Sequence, residues 1–141
     1  AGYLSDLIAA AARSGEHVVA TVMLSRGCPG EVCGPVPERA AVVPSLPATG
    51  VHAQAQWALY PLLDGGTGPL TDHLAPVWAA IERARERGTF LRSEHFVTTL
   101  AGDLAEVLTT VVECWSAVGQ AVPHVATHVT IGLNSPSTDL R

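Results

Sequence analysis

Gln54, Gln56 and Tyr60 are the residues whose types and spacing first suggest chemistry. They lie in the run Ala53-Gln-Ala-Gln-Trp-Ala-Leu-Tyr-Pro-Leu62, whose alternation reads as a strand. The two-residue period puts Ala53, Ala55, Trp57 and Leu59 on one face and Gln54, Gln56, Ala58 and Tyr60 on the other. One face can therefore enter a core while the other offers neutral groups that both donate and accept hydrogen bonds. The same glutamines would also suit an ordinary open face or a packing interface.

Other chemistries find little support. All eight basic residues are arginines, so lysine Schiff bases and a lysine-bearing phosphate loop are excluded. The net charge of -5, without a basic run, argues against nucleic acid and anionic membrane surfaces. Three cysteines, Cys28, Cys33 and Cys114, form no repeated framework, and no signal peptide or long apolar span is present, so a cytoplasmic protein without membrane insertion is expected. Cys28 and Cys33 could pair in a small loop, yet a zinc site needs four ligands and no second pair exists. Of the six histidines, His124 and His128 share a strand face but stand about 13 Å apart, too far for one metal ion. Ser25 or Cys28 with His17 has no nucleophile motif around it. The expectation is a non-enzymatic protein with no metal and no cofactor.

The elements that would position the glutamines follow from periodicity. At 141 residues, 48% hydrophobic and 15% charged, the chain suits one full domain and part of another. A helix is predicted over 4–14 with Gly15 as C-cap, then a strand over 17–25 ended by the turn Arg26-Gly-Cys-Pro-Gly30. Residues 31–50, rich in proline and glycine, read as a linker. After the 53–62 strand come a helix over 72–87, two short strands turning at Ser93-Glu94, and a helix opened by Asp103 with Glu106 as a capping box. The strand His124–Leu133 closes the unit, and Asn134-Ser-Pro-Ser137 terminates it. From residue 51 the order is βαββαβ: an α+β, ferredoxin-like antiparallel sheet with two helices on one face and the other face open.

A repeat lies beneath this order. Residues 4–30 parallel 108–137: His17/His124, Val22/Val129 and Pro29/Pro136 share an offset of 107, and Leu4/Leu108 and Gly15/Gly119 one of 104. Residues 1–30 then read as the C-terminal helix and strand of an incomplete first copy, whose opening elements precede Ala1. The expected organisation is that remnant over 1–30, the linker over 31–50, a complete domain over 51–137 and a tail over 138–141.

These motifs resemble the YkoF-like thiamine/hydroxymethylpyrimidine-binding family of tandem ferredoxin-like domains. The likeness lies in the 53–62 strand, in Phe96-Val-Thr-Thr-Leu-Ala-Gly-Asp103, and in Ser14-Gly-Glu-His-Val-Val19 with Ser25-Arg-Gly-Cys-Pro-Gly30. It departs at Asn134-Ser-Pro, where the first copy has Gly-Cys-Pro. The resemblance implies non-catalytic binding of thiamine or its hydroxymethylpyrimidine moiety in uptake or salvage. An aminopyrimidine presents ring-nitrogen acceptors and an amino donor, which neutral two-way groups satisfy. In a ferredoxin-like sheet the first strand lies between the third and fourth. Gln54, Gln56 and Tyr60 can therefore meet Thr98 or Thr99 and the Asn134-Ser135 turn, with Trp57 or Glu94 answering the thiazolium cation. Each has a plainer reading as well: tryptophans as core fillers, threonines as strand formers, Asn134 and Ser135 as a strand end. The alternative function is a structural or regulatory module that forms a homodimer through its open sheet face and binds another small metabolite.

Overall fold

The structure, a computed structural model, describes residues 1–27, 41–62, 74–122 and 124–136. Its elements are α1 (Gly2–Ala12), β1 (Val18–Arg26), β2 (His52–Leu62), α2 (Leu74–Glu86), β3 (Phe90–Glu94), β4 (Val97–Asp103), α3 (Leu104–Ala121) and β5 (His124–Leu133). The strands form one sheet in the order β1-β5-β2-β4-β3, antiparallel at every pairing. The segment β2-α2-β3-β4-α3-β5 is thus the ferredoxin-like split unit, and β1 extends it along the far edge of β5.

Alternation decides which face is covered. Ala53, Ala55 and Trp57 of β2, Leu100 of β4 and Val125, Val129 and Ile131 of β5 are buried together with Leu104, Val107, Val111 and Val118 of α3 and Ile8, Ala9 and Ala12 of α1. Three helices therefore lie on one side. On the other, the intervening strand residues remain half-exposed or exposed, except for buried Ala58 and His124.

Several buried polar groups on the helix side are paired. The Trp57 indole donates to Thr127 Oγ1 at 2.7 Å, and that hydroxyl donates to the Ala58 carbonyl at 2.8 Å, tying β2 to β5. Glu113 of α3 accepts from Arg83 Nε at 2.6 Å and Arg87 Nε at 2.5 Å, joining α3 to α2 and the turn after it. No helix among the described residues is long and apolar enough to cross a membrane.

Several sequence boundaries shift. The β3–β4 turn falls at His95-Phe96, with Glu94 opposite Val97, rather than at Ser93-Glu94. A bulge between Phe90 and Arg92 lengthens β3, and His95 takes the positive φ of 46° that the tight reversal needs. Regular α2 begins at Leu74, with Pro76 in its first turn, where a missing N–H costs nothing. The capping box forms only by half. Asp103 accepts from the Ala105 N–H at 2.8 Å, but Glu106 turns to Arg87 Nη1 at 3.1 Å. Of the linker, 41–50 is described, and it runs against α3: Val42 N–H donates to Ser116 Oγ at 2.9 Å, and Leu46 packs on the core. Cys28, Cys33, the Gly-rich 64–69 stretch and the 138–141 tail lie outside the described residues.

Asp103 also takes hydrogen bonds from the Thr49 N–H and hydroxyl at 3.1 Å and from the Gly50 N–H at 2.8 Å. Burial alone would raise its carboxyl pKa, but these donors outweigh it and hold the pKa below the usual carboxylate range. A depressed folded pKa stabilises the fold above the unfolded value of about 3.9 and is lost as pH falls through the folded one. Asp103→Ala should cost about 2 kcal/mol in urea unfolding at pH 7. The difference between the two proteins should shrink as acid unfolding proceeds below about pH 4.

Candidate functional site

The open face carries the candidate site, built in cross-strand rows. Pairing aligns Val19, Gly132, Gln54 and Ala101 in one row across β1, β5, β2 and β4. The next row runs through all five strands: Thr21, Thr130, Gln56, Thr99 and Arg92. The Cβ atoms of directly opposed residues sit about 5 Å apart, so Gln56 is flanked by two threonine side chains. Gln54 is flanked by Gly132 and Ala101, whose lack of bulk leaves the sheet hollow there.

The resulting cleft has a volume of about 590 Å³, and its floor is formed by Gln54, Gln56, Thr99, Thr130 and Gly132. One end is walled by the α1–β1 turn with Arg13 and His17, by Gly50, Val51 and His52 at the start of β2, and by Asn134 and Ser135. Arg92 closes the β3 side. The bulge in β3 places Arg92 here, because it breaks the alternation after core-facing Phe90 and brings Arg92 opposite Thr99. Sheet chemistry of this kind can hold a flat polar molecule by hydrogen bonds. Among the described residues no cluster of His, Cys, Asp and Glu is arranged to hold a metal ion.

Asn134 fixes the wall. Its Nδ2 donates to the Ala12 carbonyl at 2.7 Å and the Glu16 carbonyl at 3.0 Å, while its backbone takes a φ of 52°. It therefore ties the end of β5 to the end of α1 and the turn into β1.

Five of the seven expected site residues, Gln54, Gln56, Thr99, Asn134 and Ser135, line this one cleft. Thr98 does not. It is buried on the helix side, in hydrogen-bond contact with Ser93 Oγ at 3.3 Å. Tyr60 shares the open face but sits two rows beyond Gln56. It lines, with Thr98, Trp78 and Phe96, a second hollow of about 320 Å³. Trp57, considered for a cation, is 2% exposed and faces the helices, so it cannot meet a ligand on the open face. Glu94 is engaged at 3.1 Å by Arg92. Thr130, Gly132, Arg92, Arg13, His17 and His52 were missing from the sequence-based set. The alternation of β5 contains the signal for Thr130 and Gly132, which fall out of phase with core Val129 and Ile131.

The connectivity and open-face cleft define a ferredoxin-like α+β protein with a polar hollow on its uncovered sheet face. A family model described as the YKOF-related family matches residues 52–138. The chain belongs to that family. Over 131 residues it is 28% identical to a Bacillus subtilis (strain 168) protein named "Putative HMP/thiamine-binding protein YkoF". The alignment covers 90% of this chain, which spans 62% of that relative's length.

Asn134→Gly preserves the positive φ and removes both side-chain bonds, so it isolates the wall's anchor. Stability should fall by about 1–2 kcal/mol, and amide exchange at 13–17 should accelerate, as measured by mass spectrometry. Unchanged exchange there would show that the turn is held by other contacts.

Proposed function

We propose that this chain is a non-catalytic binding protein for thiamine or its hydroxymethylpyrimidine moiety, acting in thiamine uptake or salvage. The carrying observation is the row in which Gln56 stands between Thr99 and Thr130, beside the hollow at Gln54. An aminopyrimidine needs an acceptor for its amino group and donors for its ring nitrogens, and carboxamides with hydroxyls provide both without a charge to desolvate. Gly132 and Ala101 leave room for a flat ring to lie against the sheet. The relative's name points to the same ligand class.

The same reading extends to tandem organisation, with 1–30 as the end of a first repeat and 51–137 as the second. The β1–β5 pairing supports it. Val22 lies opposite Val129, the residue that the 107-residue offset makes its counterpart, so the two segments meet about a local pseudo-two-fold axis.

Isothermal titration calorimetry tests the proposal. Thiamine and hydroxymethylpyrimidine should give saturable heat and be recovered unchanged, with unrelated metabolites silent. Gln56→Ala should weaken binding about tenfold, the value of one to two lost hydrogen bonds. No heat with either compound, or their consumption, would overturn the reading.

A second use of the same face is favoured by Val19, Met23 and Tyr60, which are 59%, 69% and 46% exposed on it. Two copies stacked through the open faces would cover these groups. Sedimentation equilibrium should then report a dimer that Met23→Glu dissociates. A wild-type monomer across the micromolar range would sink this reading.

A further inference from the structure

The charge of the cleft discriminates among pyrimidines. Among the described residues lining it there are two arginines and two histidines, but no aspartate or glutamate. This contrasts with the chain's net charge of -5. A site built for a bare organic cation would place a carboxylate or an open aromatic face within it, and here Trp57 is turned to the opposite side of the sheet.

Resting on the pyrimidine-binding reading above, we infer that the cleft selects pyrimidines carrying a phosphate ester, and that Arg92 is the residue that contacts the phosphate. The row Gln56–Thr99–Arg92 places Arg92 two strands from Gln56, about 10 Å between backbones. The arginine side chain is long enough to span that gap over Thr99. A ring held at Gln56 thus directs its substituent toward Arg92, with Thr99 as an intermediate donor. The ion pair with Glu94 uses the Arg92 Nε, and both side chains are about half exposed, at 48% and 66%. Such a pair is weak in water, and a phosphate dianion, which accepts two parallel N–H bonds, competes well against it. Arg13, at the opposite end, contributes positive potential without lying in the Gln56 row.

The test compares compounds that differ only by the ester. The full chain is titrated with hydroxymethylpyrimidine and its monophosphate, and with thiamine and its monophosphate, at two salt concentrations. Each phosphate should bind at least about tenfold more tightly than its parent, and the gain should shrink at high salt. Arg92→Gln should abolish the gain while keeping the wild-type urea-unfolding midpoint, which establishes that the variant folds. Arg13→Gln should retain most of it. Equal or weaker binding of the phosphates would overturn the inference while leaving the pyrimidine reading standing. A gain that survives Arg92→Gln would overturn the assignment of Arg92. Silence from all four compounds would overturn the pyrimidine reading, and this inference with it.

Discussion

The Asp103 carboxylate joins three segments on which the open face depends. It ends β4, caps α3 through Ala105, and receives Thr49 and Gly50 as the chain enters β2. The Leu104 N–H adds a bond to the Val51 carbonyl at 2.9 Å. These contacts set His52 opposite Asp103, and the register then runs on to Gln54 opposite Ala101 and Gln56 opposite Thr99. A slip of one residue would send both glutamines into the core and Trp57 into water. One partly buried carboxylate thus governs which side chains the cleft receives.

The helix layer is held by a different device. Glu113 is 4% exposed, and burial by itself would raise its carboxyl pKa, yet Arg83 and Arg87 hold it below the usual range. The same pocket contains Cys114, whose thiol burial pushes up to about 12, so it is protonated at neutral pH and no nucleophile. Its Sγ rests on the Ala80 carbonyl at 3.4 Å. Glu113, Arg83 and Arg87 are thus spent on joining α3 to α2 and the turn after it, away from the open face.

How much of this could be read in advance depends on how local the determinant is. Period-two alternation is a property of one strand, and it placed Gln54, Gln56, Ala58 and Tyr60 on a common face, as the burial of Ala53, Ala55 and Trp57 bears out. The βαββαβ order likewise follows from periodicities along the chain. Thr98 and Thr99 were inseparable, because their phase depends on the pairing of β4 with β2. Arg92 was invisible for a stronger reason. A bulge inverts the phase of β3 midway, and no residue type in Phe90-Leu-Arg-Ser-Glu94 marks it. The participation of α1 and β1 in the cleft depended on a pairing between segments about 100 residues apart.

That pairing explains the shape of the site. Because β1 runs antiparallel to β5, its first residue, Val18, lies opposite Leu133, and the α1–β1 turn must arrive where β5 ends and β2 begins. Arg13 and His17 are thereby carried to the end of the floor formed by Gln54 and Gly132, where Asn134 secures the turn. At its other end the same pairing brings Arg26 to the C-terminal turn of α3, where its guanidinium donates to the Gly119 carbonyl, a favourable place for positive charge. A Cβ at Gly119 would fall 2.7 Å from Nη1, so the guanidinium would have to shift. One register therefore positions the wall of the cleft and locks β1 to the helix layer. The site is not a property of the 52–138 unit alone, since the wall with Arg13 and His17 comes from the segment that precedes it.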